Sequence, residues 1–355
     1  MKLEGKAQTV LGLVDSSELG ITLPHEHLFV DLTSGLIEPT DPIEKELVHQ
    51  KVTFENLWFA RHYKMSNEDN MLLEDEELAI REALHFKEAG GKTIVDVSCI
   101  NIGRNPQGLV NVAKATGLNI VMGTSYYTAR SFTPQMKMEI RTDEDIAKEF
   151  IREITVGVGN TGIKAGLIGE IGMTWPMPME ERKVLRAAGM AQQETGATIY
   201  IHPGCHVDAP FEYVKVLEEV GTDLSRVVFG HMHRTFPMRD RNSRVKLAEK
   251  GSYLAFDALG FEGIYPSPAP PECPYDVPND AMQITEIMEH IEDGLLNHIL
   301  ISQDVCYKVC LRAYGGGGYS HILKSILPQM RAKGMTEEQI NTILVENPQR
   351  ILTFI

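Results

Sequence analysis

Residues 198–202 read Thr-Ile-Tyr-Ile-His, a short apolar run that ends on one polar side chain. Such runs are typical of parallel strands that are buried on both faces. The pattern recurs through the chain and predicts eight strands: Ile21–His27, Thr93–Ser98, Asn119–Ser125, Ala165–Ile171, Thr198–His202, Val227–His231, Tyr253–Asp257 and His298–Asp304. Amphipathic stretches lie between them; Asn105-Pro106 marks the start of one predicted helix and Gly117 its end.

Eight strands that alternate with helices predict an α/β protein built as a single (β/α)8 barrel, a TIM barrel, over residues 1–355. A doubly wound open sheet is the alternative, but no G-x-G-x-x-G motif follows the first strand. Residues 28–76 and 259–280 exceed what a minimal barrel needs. We expect both to be extended βα loops at the C-terminal face, although the proline-rich segment 259–280 also fits a flexible linker.

The composition limits the classes of partner. Lysine and arginine total 34 residues against 49 aspartates and glutamates, a net charge of −15, and 43% of the residues are hydrophobic. These values exclude a disordered chain and disfavour nucleic acid or an anionic membrane as a partner. Five scattered cysteines without a C-x-x-C pair predict a reducing compartment over a disulfide framework, and no segment is typical of a signal peptide or a membrane span. We therefore expect a cytoplasmic protein.

Histidines and carboxylates end five of the predicted strands. In Pro24-His25-Glu26-His27 the two imidazoles are two residues apart and point to the same face of a strand, although an H-x-H motif alone also fits one core and one exposed histidine. The full predicted set is His25, His27, Glu170, His202, His231 and Asp304. These ligand types suit Zn²⁺ first, with Mn²⁺, Co²⁺ and Fe²⁺ as alternatives. Six ligands exceed the needs of one tetrahedral ion, so we expect two ions per chain with Glu170 bridging them.

With these motifs the chain resembles the phosphotriesterase-related branch of the amidohydrolase superfamily. The resemblance covers nearly the whole sequence, from GKAQTVLGLVDSSELGITLPHEH through KAGLIGEIG, IHPG, GHMHR and SQD to YGGGGYSHIL and ENPQRILTFI. It implies a (β/α)8 barrel in which His25 and His27 hold a buried metal ion. It further implies that His202 and His231 hold a more exposed ion, and that Asp304 binds the first ion and relays protons.

The bridging position departs from the pattern of the phosphotriesterases proper, which use a carboxylated lysine at the end of strand four. Here Gly169 stands near that place, and Glu170 follows it. The resemblance to the branch that reads GEIG implies that this glutamate takes the place of the lysine. Lys164 lies six residues upstream, at the opposite end of the predicted strand. We therefore expect Glu170, and not a modified lysine, to bridge the metal ions.

Substrate contacts are less specific in the sequence. The predicted set is Tyr127, Arg104, His233, Arg234 and Tyr314. Tyr127 either donates to a carbonyl oxygen or simply packs, and His233 is either a substrate contact or a plain loop residue. Either arginine binds an anionic group or forms a structural ion pair. The loop Gly315–Gly318 lacks the Lys-Ser/Thr of a Walker loop and fits an anion site, a lid or a tight turn.

The ligand set and the resemblance together predict a metal-dependent hydrolase that uses a metal-bridging hydroxide on a small molecule. An amide such as an N-acyl amino acid or N-acetyltaurine is the first choice of substrate. A lactone, another ester or a phosphotriester is the alternative, and a small-ligand-binding barrel without catalysis is the alternative from another class. Barrels of this family often pair, so a homodimer is compatible with the resemblance.

Overall fold

The computed structural model describes residues 4–235, 240–261 and 278–355. Its strands are β1 Lys6–Thr9, β2 Gly12–Asp15, β3 Thr22–Glu26, β4 Val30–Asp31, β5 Leu72–Leu73, β6 Thr93–Asp96, β7 Asn119–Thr124, β8 Leu167–Gly172, β9 Ile199–His202, β10 Val227–Phe229, β11 Tyr253–Phe256 and β12 Ile299–Ile301. Eight of them, β3 and β6 to β12, form one parallel sheet in chain order.

The two edge strands of this sheet, β3 and β12, approach each other and nearly close it. The backbone N–H of His25 donates to Ser302 Oγ at 3.1 Å, and that hydroxyl donates to Glu26 Oε1 at 2.8 Å. The N–H of Val305 donates to the other oxygen of Glu26 at 2.9 Å. These bonds replace a regular ladder, and the predicted (β/α)8 barrel is confirmed.

Helices cover the outside of the barrel. They are α1 Pro42–Lys45, α2 Leu57–His62, α3 Glu76–Glu88, α4 Pro106–Thr116, α5 Asp143–Thr155, α6 Met179–Thr195, α7 Ala209–Glu219, α8 Met232–Thr235, α9 Arg241–Glu249, α10 Asp280–Glu292, α11 Leu327–Ala332, α12 Glu337–Asn341 and α13 Asn347–Leu352. The predicted bounds of α4 are confirmed: the side chain of Asn105 accepts from Gly108 N–H, and Gly117 is left-handed at φ 69°. No helix in the described ranges is long and apolar enough to cross a bilayer.

The chain ends close the N-terminal face of the barrel. Buried Ala7 of β1 and Ile351 of α13 pack with inward residues of the barrel strands such as Val121 and Leu300. The guanidinium of Arg226, which precedes β10, donates to the backbone oxygens of residues 350, 351 and 353. Because this face is filled, the opposite face is the one left for a site.

The two long insertions have different outcomes. Residues 28–76 form the two-stranded ribbon β4–β5 and the helices α1 and α2. Most of 259–280 lies outside the described residues, so its predicted loop stays a prediction. Cys205 is disulfide-bonded, which the scattered cysteine pattern does not predict, whereas Cys99, Cys306 and Cys310 are free.

Candidate metal centre

The six predicted ligand residues meet at the carboxyl ends of five barrel strands. Four of them have side chains at most 3% exposed, and those of His202 and Asp304 are 15% exposed, so water has little access to the cluster. In the first group, Asp304 Oδ1 lies 3.3 Å from His27 Nε2 and 3.5 Å from His25 Nε2. One atom from each of these three residues lies within 4.8 Å of the other two, a spacing that would suit a single metal ion.

Glu170 lies between this group and the remaining histidines. Its Oε1 is 3.4 Å from His27 Nε2, while its Oε2 is 3.1 Å from His202 Nδ1 and 3.6 Å from His231 Nε2. The same Oε2 is 3.5 Å from His25 Nε2. The carboxylate therefore offers one oxygen to each side of the cluster, as a bridging ligand would.

The charges and unmet hydrogen bonds of the cluster fit a bound cation. Burial disfavours ionisation of Glu170 and Asp304, but the surrounding histidines hold the pKa of both carboxyls well below the usual range. His25 is fully buried, and neither of its ring nitrogens has a hydrogen-bond partner among the described residues. A buried polar group without a partner is costly, and coordination of a metal ion by Nε2 would remove much of that cost.

The orientation of three of the four histidines follows from partners on the side away from the cluster. Asp257, which comes directly after β11, is fully buried; its Oδ1 lies 2.9 Å from His231 Nδ1, and its Oδ2 lies 3.4 Å from His25 Nδ1. For His27, Nδ1 lies 2.9 Å from Ser98 Oγ, which itself donates to a backbone carbonyl. In the rings of His27 and His231, Nδ1 is therefore the donor and Nε2 carries a free lone pair toward the cluster, and the nearby Asp257 favours the same tautomer in His25.

Asp257 is absent from the predicted site although its strand was predicted to end on it. The rule that selected the other ligands, a polar residue at a strand end, applies to it equally. Its carboxylate accepts from Tyr200 Oη at 3.0 Å and from the N–H of His231 at 2.9 Å. It therefore positions ligands and faces away from the open side of the site.

The backbone of the site is unusual where it carries ligands. His231 has φ 54° and Asp304 has φ 51°, left-handed values that are uncommon for residues other than glycine. Gly169, directly before Glu170, has φ 150°, and a Cβ there would lie 2.6 Å from Tyr200 O. Lysine does not fit at position 169, and Lys164 lies at the other end of β8, in a surface pocket beside Gln8. Both observations favour Glu170 as the bridge.

Above the ligands lies a cavity of about 310 Å³. Its floor contains ligand side chains and the hydroxyl of Tyr127, which is 3.2 Å from both ring nitrogens of His202. Its walls are mostly apolar and come from several βα loops: Leu32, Ile37, Met65, Met173, Trp175, Phe261 and Tyr307. The insertion 28–76 supplies three of them, as expected for a loop over the C-terminal face.

The other predicted substrate residues lie elsewhere. Arg104 is 5% exposed and forms a two-pronged ion pair with Glu153, at 2.6 and 2.9 Å, so of its two predicted roles the structure shows the ion pair. His233 is buried 3.7 Å from Asp257 and does not line the cavity. Tyr314 lines a separate cavity of about 510 Å³. The side chain of Arg234 lies outside the described residues.

Comparison with known proteins places this geometry in context. The model of the phosphotriesterase family matches residues 5–352. A phosphotriesterase-related protein of Nematostella vectensis is 39% identical over 353 residues, and an N-acetyltaurine hydrolase of Homo sapiens is 38% identical over 356; each alignment covers 99% of both chains. The crystal structure of a resiniferatoxin-binding protein from Rhodobacter sphaeroides superposes with a TM-score of 0.93 at 34% identity, over 98% of this chain and 95% of that one.

Proposed function

The chain belongs to the phosphotriesterase family and is a hydrolase, and from that premise we propose that it hydrolyses a small N-acyl amide with the aid of two divalent metal ions. The observation that carries the proposal is the cluster of six predicted ligand residues, four of which line the floor of a mostly apolar cavity. The amide is proposed because a relative that matches over its full length is an N-acetyltaurine hydrolase.

The residues divide into two ligand groups around one carboxylate. His25, His27 and Asp304 would hold one ion, His202 and His231 would hold the other, and Glu170 would contact both. When bound, two divalent ions of this kind lower the pKa of water toward neutrality and polarise an acyl oxygen. Zinc is the first choice for the donor set of imidazole and carboxylate.

Asp304 is the group placed to move the proton. Its side chain is 15% exposed and lines the cavity, whereas those of His25 and His231 do not line it. The surrounding histidines hold its pKa well below the usual range, so it is ionised, the form in which a carboxylate beside the attacking water can accept a proton. Transfer of this proton to the departing nitrogen would then complete amide cleavage, since an amine leaves far more readily than an amide anion.

The cavity walls would hold and orient the substrate. Tyr127 points its hydroxyl toward the floor beside His202, so it is placed to donate to an acyl oxygen. Met173 and Trp175 lie on the apolar side and would exclude water around the acyl group. Such exclusion strengthens the electrostatic interactions made at the reacting carbonyl.

A substrate panel on metal-reconstituted protein tests the proposal. The panel contains N-acetyltaurine, N-acetyl amino acids, a γ-lactone and a phosphotriester, with metal content measured in parallel. We expect the highest kcat/KM on an N-acyl amide. We also expect Glu170→Gln to lose metal and turnover, while Lys164→Ala, at the far end of the strand, keeps both.

Two outcomes would contradict the proposal. A kcat/KM at least about tenfold higher on the lactone or the phosphotriester, a gap of about 1.4 kcal/mol in transition-state binding, would replace the amide with that substrate. Less than a single bound ion per chain, with no turnover on any of the compounds, would favour a binding protein. A homodimer and a cytoplasmic location stay predictions, the first testable by light scattering.

A further inference from the structure

The mouth of the cavity carries one strongly basic side chain, that of Arg130. Among the described residues that line the cavity it is the only lysine or arginine. We infer that Arg130 recognises a sulfonate or carboxylate that the substrate carries at the end away from its scissile acyl bond. The inference rests on the proposed function and narrows its substrate class to N-acylated amino acids and aminosulfonates.

The guanidinium of Arg130 is available for a ligand. Within the described ranges it forms no ion pair or hydrogen bond, although the arginines nearest it in sequence are paired. Arg104 is paired with Glu153 at 2.6 Å, and Arg141 is paired with Glu149 at 2.5 Å. An arginine fork left without a carboxylate partner beside a cavity matches the geometry of a planar or tetrahedral oxyanion.

The backbone that carries Arg130 is fixed on both sides. The N–H of Ala129 donates to Glu181 Oε1 at 2.8 Å, and Glu181 is fully buried. On the other side, Ser131 Oγ accepts from Asn101 Nδ2 at 2.7 Å. Because the backbone of this loop is held in place, only the side chain of Arg130 has to be ordered when an anion binds, which favours recognition.

The guanidinium of Arg130 lies against Gly35. A Cβ on Gly35 would lie 2.6 Å from Arg130 Nη2 and 3.6 Å from its Cζ, so the side chain rests directly against the glycine. Gly35 belongs to the insertion after β3, the segment that also supplies Met65 to the cavity wall. The insertion therefore positions the basic group as well as covering the site.

The net negative charge of the chain gives a basic side chain at the mouth of the cavity a role in binding an anionic substrate. The chain has a net charge of −15, which repels an anionic substrate at a distance. Cations bound by the ligands on the floor would attract the anionic end of the substrate as well as its acyl oxygen. A basic group at the mouth holds the anionic end there, and the acyl end then faces the floor.

Kinetics on matched substrates tests the inference. N-acetyltaurine, its carboxylate analogue N-acetyl-β-alanine and the neutral N-ethylacetamide are compared on the wild type, Arg130→Gln and Arg130→Lys. We expect Arg130→Gln to lower kcat/KM by roughly 10- to 100-fold on the two anionic amides and by less than about threefold on the neutral one. Arg130→Lys should restore part of the loss, and the anionic substrate that suffers more distinguishes sulfonate from carboxylate recognition.

Two further variants control for charge and position. Lys137→Gln removes an exposed cation from the same βα connection outside the cavity lining and should leave all three kcat/KM values unchanged. Gly35→Ala would place a Cβ 2.6 Å from Arg130 Nη2 and 3.3 Å from Met65 Cε, so it displaces the guanidinium and should lower activity more on the anionic amides than on the neutral one. Equal losses on charged and neutral amides, or no loss in Arg130→Gln, would overturn the inference.

A binding measurement separates this inference from the proposed function. N-acetyltaurine is titrated calorimetrically into metal-loaded Asp304→Asn protein with and without Arg130→Gln. Weaker binding in the double variant, together with a wild type that hydrolyses no amide, would uphold anion recognition and refute the amide hydrolase. Equal binding in both proteins, or no binding in either, would refute anion recognition whatever the turnover.

Discussion

Replacement of Asp257 by asparagine tests whether the site is built to hold metal ions. Asp257 is fully buried; its Oδ1 faces His231 Nδ1 at 2.9 Å, and its Oδ2 faces His25 Nδ1 at 3.4 Å and accepts from Tyr200 Oη at 3.0 Å. The substitution keeps the shape of the side chain and removes its charge. The expected effect is therefore on the histidines and not on packing.

The substitution should affect metal binding because it changes which ring nitrogen of His231 or His25 carries the proton. A carboxylate accepts on both oxygens, whereas an asparagine offers one acceptor and one donor. In either amide orientation the NH₂ group of Asp257→Asn faces the Nδ1–H of His231 or of His25. That ring must then carry its proton on Nε2, the atom that points at Glu170. A protonated Nε2 cannot coordinate a metal ion.

The expected loss of metal affinity can be estimated, because Asp257 is the hydrogen-bond partner that positions a predicted metal-binding histidine. Loss of such a partner lowers metal affinity by about 10- to 100-fold, which is about 1.4 to 2.8 kcal/mol. The folded state without metal should lose about 1–3 kcal/mol as well, because a buried donor is left without an acceptor.

Metal affinity is measured by competition with a chelator of known affinity, and folding by thermal denaturation of the metal-free protein. Asp280→Asn is the matched control, since Asp280 Oδ2 lies 2.8 Å from His321 Nε2 in a partly buried carboxylate–histidine pair outside the predicted ligand set. We expect Asp280→Asn to lower stability and leave metal affinity unchanged. Wild-type affinity in Asp257→Asn, or an equal loss in Asp280→Asn, would refute this reasoning.

Three further predictions concern single side chains. Asp304→Asn should keep the fold and much of the metal but lower kcat by about 10²- to 10⁴-fold, and a near wild-type kcat in steady-state assays would exclude its role in proton transfer. Arg104→Ala leaves Glu153 buried without its partner, so unfolding in urea should show a loss of about 3–5 kcal/mol while KM stays unchanged; a raised KM at full stability would place Arg104 at the substrate. Burial and the nearby arginine lower the pKa of His290 to about 4, so between pH 6.5 and 4 the unfolded chain binds a proton that the folded chain does not. Stability should fall by up to about 3 kcal/mol as the pH is lowered through that window, and His290→Asn should flatten this part of the curve of unfolding free energy against pH.

The strand pattern predicted the barrel because buried parallel strands leave a continuous apolar signal. The ends of those strands were predicted less well. Val227–His231 was expected to be one strand, but β10 ends at Phe229. The left-handed backbone of His231 leaves the ladder there and turns the imidazole toward the site. Asp304 ends the last predicted strand in the same way, three residues beyond β12. Strain of this kind depends on tertiary contacts and is not visible in residue types.

The roles of Arg104 and Arg130 could not be distinguished from the sequence. Arg104 was a predicted substrate contact, whereas Arg130 was not singled out. What separates them is a carboxylate: Glu153, 49 positions from Arg104, neutralises that guanidinium, and no described residue does so for Arg130. Such a pairing joins two elements that only the closed barrel brings together. Residue type and local spacing cannot decide it.

The bridging position shows how backbone geometry selects a residue type. At Gly169 the strand approaches its neighbour so closely that a Cβ would lie 2.6 Å from Tyr200 O, and its φ of 150° disfavours any side chain. A long lysine is therefore excluded at that position, whatever the chemistry requires. One residue later, Glu170 places two oxygens 3.1 to 3.6 Å from histidines on both sides of the cluster. A carboxylate supplied directly by the chain would meet the same need as a carboxylated lysine. The close approach of the two strands at Gly169 would then account for the use of the shorter glutamate side chain.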